Sequence, residues 1–247
     1  GWAATAPADR AALLDTAADH LEADAEPLVA LLVREAGKTC ANGVAEVREA
    51  ADFCRYYALQ AKIRFPRQTL AGPAGERNEL ALHGRGVFVC ISPWNFPLAI
   101  FLRQVAAALA AGNTVIAKPA EQTNLIGFAA VRLLHEAGIP QDVLQFVPGD
   151  GATVGAALTR DPRVAGVCFT GSTETARLIN RALASREAGP IATLIAETGG
   201  QNAMIADSSS LPEQVVKDAL GSAFTSAGQR CSAARVLLVQ DDIADKV

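Results

Sequence analysis

The sequence is poor in several side chains that commonly build sites. Its 247 residues include three histidines, two tryptophans, two tyrosines and one methionine. His20, His83 and His135 show neither triad nor metal-ligand spacing, which argues against a Cys–His hydrolase and leaves no metal site to name. The five cysteines include no C-x-x-C pair. They form neither a disulfide scaffold nor a zinc ribbon, and they fit a reducing, cytoplasmic compartment. A basic excess is also missing: 22 Lys and Arg stand against 26 Asp and Glu, a net charge of −4. Nothing here would neutralise a phosphate backbone, so a nucleic-acid partner is a poor reading. With Gly 20 and Pro 12, collagen-like and proline-rich architectures are excluded. No apolar run is long enough to span a membrane. The longest, residues 96–117, is interrupted by Arg103, Gln104, Gly112 and Asn113, and reads as a buried helix followed by a buried strand. The chain opens without a basic n-region or an initiator Met, since Met204 is the only methionine. Residues 240–247 read as a turn and the start of another helix. The chain is therefore expected to be a piece of a longer protein, truncated at both ends.

What is present is a large apolar fraction, 50% against 19% charged, enough for a well-buried core in one large or two modest domains. Residues 7–36 carry apolar side chains at helical spacing, with Pro27 breaking or restarting the run and Gly37 as a C-cap. Residues 40–63 form a second helical stretch, and residues 65–78 read as loop. From there the pattern alternates. Strands are expected at 86–91, 114–117, 143–147, 164–169, 191–195, 203–206 and 235–239. Helices are expected at 98–111, 124–137, 152–159, 173–184 and 211–226, the last with Ser210 as N-cap and Pro212 in its first turn. Alternation of this kind implies an α/β fold, a mostly parallel sheet with helices on both faces. Ligands of such sheets sit beyond the carboxyl ends of the strands, so the turns there hold the candidates.

Each such turn has a plain reading and a chemical one. After the first strand, Ser92-Pro93-Trp94-Asn95-Phe96-Pro97 is either a rigid turn or the mount for an amide donor, Asn95, to a reacting oxygen. Lys118-Pro119-Ala120-Glu121 is a surface ion pair or a ribose and phosphate contact. Pro148-Gly149-Asp150-Gly151 is an ordinary turn or a close approach to a ligand. Phe169-Thr170-Gly171-Ser172 offers either an N-cap or a helix N-terminus to a phosphate, although no G-x-G-x-x-G fingerprint follows any strand. Glu197-Thr198-Gly199-Gly200 holds a strand-end acid or a general base. Cys231, after Gly228 and beside Arg230, is a candidate nucleophile, activated by a nearby cation or dipole. Cys90 and Cys168 fall inside expected buried strands and Cys40 and Cys54 in the N-terminal helices, where free cysteines act as small apolar side chains.

Together and in this order, Pro93-Trp94-Asn95-Phe96-Pro97, Lys118-Pro119-Ala120-Glu121, Phe169-Thr170-Gly171-Ser172-Thr173-Glu174, Glu197-Thr198-Gly199-Gly200 and Gly228-Gln229-Arg230-Cys231 resemble the aldehyde dehydrogenase superfamily. The runs 196–205 and 228–237 are most similar to the L-glutamate γ-semialdehyde (pyrroline-5-carboxylate) dehydrogenase branch, as in the dehydrogenase module of the bifunctional proline utilization A proteins. Thr198, where the superfamily commonly has Leu, is usual in that branch. The resemblance implies a Rossmann-like aldehyde dehydrogenase fold. Residues 1–80 would be a helical segment packing on the cofactor domain, 81–226 the NAD-binding domain, and 227–247 the start of a catalytic domain.

It also implies roles. Cys231 attacks the aldehyde, Asn95 and the Cys231 amide stabilise the oxyanion, and Glu197 activates the hydrolytic water. Lys118 and Glu121 hold the adenosine ribose of NAD, and Ser172 meets the pyrophosphate. Gly149, Gly151 and Val154 line the adenine pocket. Ile91, Ser92, Pro93, Trp94, Ala120, Phe169, Thr170, Gly171, Thr198 and Gly199 complete the cofactor site. A small aldehyde, a homo-oligomer and an upstream proline dehydrogenase domain are the implied partners, with no membrane. The alternatives are an NAD-binding module without catalysis and a different aldehyde class.

Overall fold

A computed structural model describes residues 1–247, which form two compact units, Gly1–Glu197 and Thr198–Val247. In the first, α1 (Pro7–Ala23) starts with a proline at its first turn and α2 (Ala25–Ala36) ends on Gly37 at φ 67°. The expected break near Pro27 falls at Asp24 instead. Pro27 then sits in the first turn of α2, where a backbone donor is not needed. α3 (Cys40–Arg64) is capped by Thr39, whose Oγ1 accepts from the Asn42 N–H at 3.2 Å.

Part of the expected loop is not loop. Gln68–Leu70 (β1) and Asn78–Leu80 (β2) pair antiparallel, Gln68 opposite Leu80. Both strands are largely exposed, so no buried face imposed the apolar alternation that would have marked them.

The alternating part follows as β3 (Val87–Ile91), α4 (Ala99–Ala110), β4 (Thr114–Lys118), α5 (Asn124–Glu136) and β5 (Leu144–Phe146). A π-helical turn, Gly151–Gly155, leads into α6 (Ala156–Arg160), where a regular helix was expected from 152. Then come β6 (Val164–Gly171), α7 (Thr173–Ala184) and β7 (Thr193–Thr198). The last strand was expected at 191–195. Ile191 is 92% exposed, and pairing starts two residues later.

The sheet order is β5-β4-β3-β6-β7, with β3 parallel to both β4 and β6 and β4 parallel to β5. The chain builds outward from β3 to β5, then returns to the other side of β3. That reversal is the topological switch point, the place in open α/β sheets where ligands commonly bind. Phe88 and Cys90 enter a core shared with α1–α5, whereas Val89 and Ile91 pack with Val167, Phe169, Ile179 and Leu183 on the other face. This period-2 alternation between two apolar faces explains why the strands read as continuous apolar runs.

In the second unit, β8 (Ala203–Ala206) and β9 (Val236–Val239) pair parallel, joined through α8 (Pro212–Phe224), and α9 (Asp241–Ala244) follows. Its core is small: Ala206, Val215 and Ile243, with Val239 and Val247 packed on them. Leu211, not Ser210, occupies the N-cap of α8, without a side-chain cap, and Pro212 begins the helix. The helix also stops earlier than expected, because Ser226 and Ala227 adopt φ 58° and 55° before Gly228 at 68°. No helix is long and apolar enough to cross a membrane.

Candidate functional site

A cavity of about 450 Å³ opens at the carboxyl ends of β3 and β4. Ile91 and Lys118, the last residues of those strands, line it. The π-helical turn and α6 contribute Gly151, Gly155 and Thr159, and α7 contributes Thr175 and Ile179. The volume lies in the range of small-ligand sites. The π-helical turn inserts one residue into the helical path, a device often found beside ligands. Asp150 caps it by accepting from the Thr153 N–H at 2.6 Å, a bond that holds its carboxyl below the usual range.

Two charged residues, Lys118 and Arg160, line this cavity, and Lys118 is the buried one. Only 3% of the residue is exposed, and Nζ donates to the Pro119 carbonyl at 3.0 Å. Burial lowers its pKa, while the carboxylates of Glu121 and Asp150 pull the other way. Glu121 is exposed in a 3-10 turn, Glu121–Thr123, for which Ala120 is the N-cap.

The sequence-derived cofactor residues divide into groups. Ile91, Lys118 and Gly151 line the cavity. Gly149 and Val154 pack on each other instead: a Cβ on Gly149, which sits at φ 148°, would meet Val154 Cγ2 at 2.4 Å. Phe169, Thr170 and Gly171 close β6. Gly171 is required there because a Cβ would lie 2.5 Å from the Phe169 ring. Ser172 is the N-cap of α7, its Oγ accepting from the Thr175 N–H at 3.1 Å. Its exposed position at the helix start is also where an anion gains most. Trp94 is 41% exposed in the turn after β3, beside Pro93 and Asn95.

A buried glutamine that the sequence reading passed over joins the two sides of the switch point. Gln104 of α4 accepts from Ser92 Oγ at 3.1 Å and donates to Thr170 Oγ1 at 2.9 Å and to the Ile91 carbonyl at 3.3 Å. Ser92 in turn donates its N–H to the Lys118 carbonyl at 3.1 Å. The ends of β3, β4 and β6 are thus tied into one frame. The signal was an uncharged polar residue inside an otherwise apolar helix: such a group, once buried, must be paired.

Glu197 and Thr198 are the last two residues of β7 rather than part of the turn after it, and Glu197 is exposed. Gly199 follows with open space around it. Asn95 and Glu197 lie in the first unit, and Thr198, Gly199 and Cys231 in the second. Cys231 is exposed in a short turn before β9. Asn202 holds that turn: its Nδ2 donates to the carbonyls of Cys231 at 2.6 Å and Ala233 at 3.0 Å. Arg230, expected to act on the thiol as a nearby cation, donates Nη2 to the carbonyls of Gly221 and Ser222 at the end of α8. Cations suit that helix end. Ser226 and Ala227, just upstream, occupy the left-handed region at a cost of about 1 kcal/mol or more each.

Residues 1–247 match the aldehyde dehydrogenase family. The chain is 58% identical over 247 residues to the bifunctional protein PutA of Escherichia coli, covering 99% of this chain and 18% of that protein. A solved structure of proline utilization A with proline bound in remote sites superposes with a TM-score of 0.96 at 61% identity, over 100% of this chain and 25% of the other. The structure of 1-pyrroline-5-carboxylate dehydrogenase from Thermus with bound NAD superposes with a TM-score of 0.92 at 38% identity, over 98% of this chain and 48% of that one. The chain therefore spans a quarter or less of the proline utilization proteins and about half of the single-function dehydrogenase.

Proposed function

The chain belongs to the aldehyde dehydrogenase family, and from that premise we propose that it binds NAD and supplies the nucleophile for oxidation of L-glutamate γ-semialdehyde to L-glutamate in proline catabolism. The observation that carries this reading is the cavity at the ends of β3 and β4, with a buried ammonium in its wall and the start of α7 beside it. That donor set fits a dinucleotide. Lys118 and Glu121 hold the adenosine ribose, Ser172 faces the pyrophosphate, and Gly149, Gly151 and Val154 flank the adenine. Ile91 to Trp94, Ala120, Phe169 to Gly171, Thr198 and Gly199 complete the surround. The carboxylate of Glu121 would repel a 2′-phosphate, which favours NAD over NADP.

In the reaction the Cys231 thiolate adds to the aldehyde carbon, and the oxygen becomes an oxyanion. The Asn95 amide and the Cys231 backbone N–H donate to that oxygen. Bound NAD supplies a hydride acceptor. Loss of hydride leaves a thioester on Cys231. Glu197 takes a proton from water, which attacks the thioester, releases the carboxylate product and restores the thiol. On this reading residues 1–80 brace residues 81–226, which hold the cofactor, and residues 227–247 open the catalytic portion. A cytoplasmic homo-oligomer, with a proline dehydrogenase domain in the same protein, completes the proposal.

The test is Cys231→Ala in the full-length protein. NADH formation from L-glutamate γ-semialdehyde is lost while NAD still binds in a calorimetric titration. Turnover retained in this variant refutes the nucleophile assignment.

A further inference from the structure

Glu46 and Lys38 form a buried ion pair that none of the chemistry above uses. Glu46 lies in α3 and is 1% exposed. Its Oε2 is 2.5 Å from Lys38 Nζ, and the two side chains are 0% and 3% exposed. Its Oε1 accepts from the backbone N–H groups of Leu98 at 2.9 Å and Ala99 at 3.2 Å. Those are the first donors of α4, a helix with no side-chain cap of its own. The carboxylate takes that place from another element, with the sign that a helix N-terminus favours. Lys38 Nζ lies 4.0 Å from the centroid of the Phe96 ring, within reach of a cation–π contact.

As a source of stability this arrangement is poor. Two charges are withdrawn from water, and an apolar pair of the same volume commonly does as well or better. What the pair does supply is position. Three contacts fall on four consecutive residues: the ammonium on Phe96, the carboxylate on Leu98 and Ala99. Pro97 between them has its φ fixed by its ring. Asn95 is the next residue upstream. On its other side Ser92 is fixed through the Lys118 carbonyl and Gln104. The turn is held from both ends.

We propose that Glu46 and Lys38 are positioning residues for Asn95, holding its amide where the oxyanion forms. This inference rests on the reading of Asn95 as an oxyanion donor. Neither side chain is placed against the substrate. Each acts through the backbone of residues 96–99. An oxyanion donor works only within a few tenths of an ångström of its target, and a displacement of about 1 Å can cost about a hundredfold in rate.

The experiment is a pre-steady-state measurement on the full-length protein, comparing Glu46→Gln, Lys38→Met and Asn95→Ala, singly and with each brace variant combined with Asn95→Ala. Three quantities are read: the rate constant of the NADH burst, its amplitude per subunit, and NAD affinity. Glu46→Gln and Lys38→Met are each expected to slow the burst by about tenfold or more, with amplitude and NAD affinity unchanged. On the Asn95→Ala background they are expected to slow it no further, because the donor they position is gone. A purely structural pair would lower the amplitude by reducing the folded fraction and leave the rate constant alone. That result overturns the proposal, as does additive slowing on the Asn95→Ala background. If Asn95→Ala itself leaves the burst unchanged, the oxyanion reading fails and the proposal falls with it. This is distinct from a slow Asn95→Ala with normal brace variants, which rejects only the brace. If Glu46→Gln does not fold, Lys38→Met carries the same comparison.

Discussion

Asn202 Nδ2 donates to the backbone carbonyl of Cys231 at 2.6 Å and, from the same atom, to that of Ala233 at 3.0 Å. The Asn202 carbonyl accepts in turn from the N–H groups of Arg235 at 2.8 Å and Val236 at 3.2 Å. One residue just before β8 thus anchors the turn that carries Cys231, the proposed nucleophile, to the strand that follows it. Asn202→Ala removes two hydrogen bonds, each worth about 1 kcal/mol net. We expect kcat/KM for the aldehyde to fall by roughly tenfold with NAD affinity unchanged. Asn202→Asp should be worse, since a carboxylate cannot donate to these carbonyls and repels them. Steady-state kinetics with a parallel NAD titration checks both variants. Normal kcat/KM in Asn202→Ala would show that the turn holds without its anchor.

Glu197 is exposed on the penultimate residue of β7, where water can reach it. Glu197→Gln keeps the shape and a hydrogen-bonding amide but removes the proposed base. Hydride transfer precedes hydrolysis, so a rapid burst of NADH is expected, followed by a steady rate lowered about 10²- to 10⁴-fold. Stopped-flow absorbance at the NADH band separates the two phases. An unchanged steady rate contradicts the general-base role.

The parts of this architecture that could be read in the sequence share one property: their burial follows a local period. Val87–Ile91 alternates between two apolar cores and so reads as a continuous apolar strand, and Gly37 ends α2 in the left-handed conformation that a C-terminal glycine announces. What was missed depends on contacts across the chain or on small irregularities. The β1–β2 ribbon buries neither face, so it has no period to find. The π-helical turn at Gly151–Gly155 inserts a residue that leaves no mark on a 3.6-residue pattern. The expected strand at 191–195 rested on Ile191, an apolar residue that is exposed. The turns that bear candidate residues were legible, but the groups holding them were not. Gln104, Asn202 and Glu46 are ordinary polar residues in sequence, and only their partners 8 to 66 positions away give them a role.

Gly155 lets the proposed cofactor space be tested apart from stability. It sits at φ −58° and ψ −44°, an ordinary helical conformation, and an added Cβ would lie 3.9 Å from Lys118 Cε with nothing closer. Alanine therefore fits without a clash, and loss of glycine's freedom in the unfolded chain should stabilise the protein by about 0.4–1 kcal/mol. The new methyl group nevertheless lies against the cavity beside Lys118. Gly155→Ala is expected to raise Tm slightly and to raise KM for NAD several-fold, with kcat little changed. A thermal melt and a KM measurement on the same preparation decide the matter. A higher Tm with unchanged KM would place the cofactor elsewhere.

Lys118 gives the proposed cofactor site a pH dependence whose sign follows from its burial. Desolvation lowers the pKa of its ammonium below 10.5, opposed by the carboxylates of Glu121 and Asp150. As pH rises, the folded protein releases this proton before the unfolded chain does. Between the folded value and 10.5 the unfolded state binds more protons, so this group's contribution to stability rises with pH across that window. Cofactor binding runs in the opposite direction. The proposed charged donor to the ribose is lost as pH rises through the folded value, so KM for NAD should climb on an alkaline limb that begins below 10.5. Lys118→Arg keeps a guanidinium protonated throughout this range and should abolish the limb. Lys118→Met should show a high KM at every pH, with no limb. The KM–pH profiles of the three proteins, taken alongside their melting temperatures at each pH, distinguish binding from stability. A limb of the same position and height in Lys118→Arg assigns the titration to another group and removes Lys118 from the ribose site.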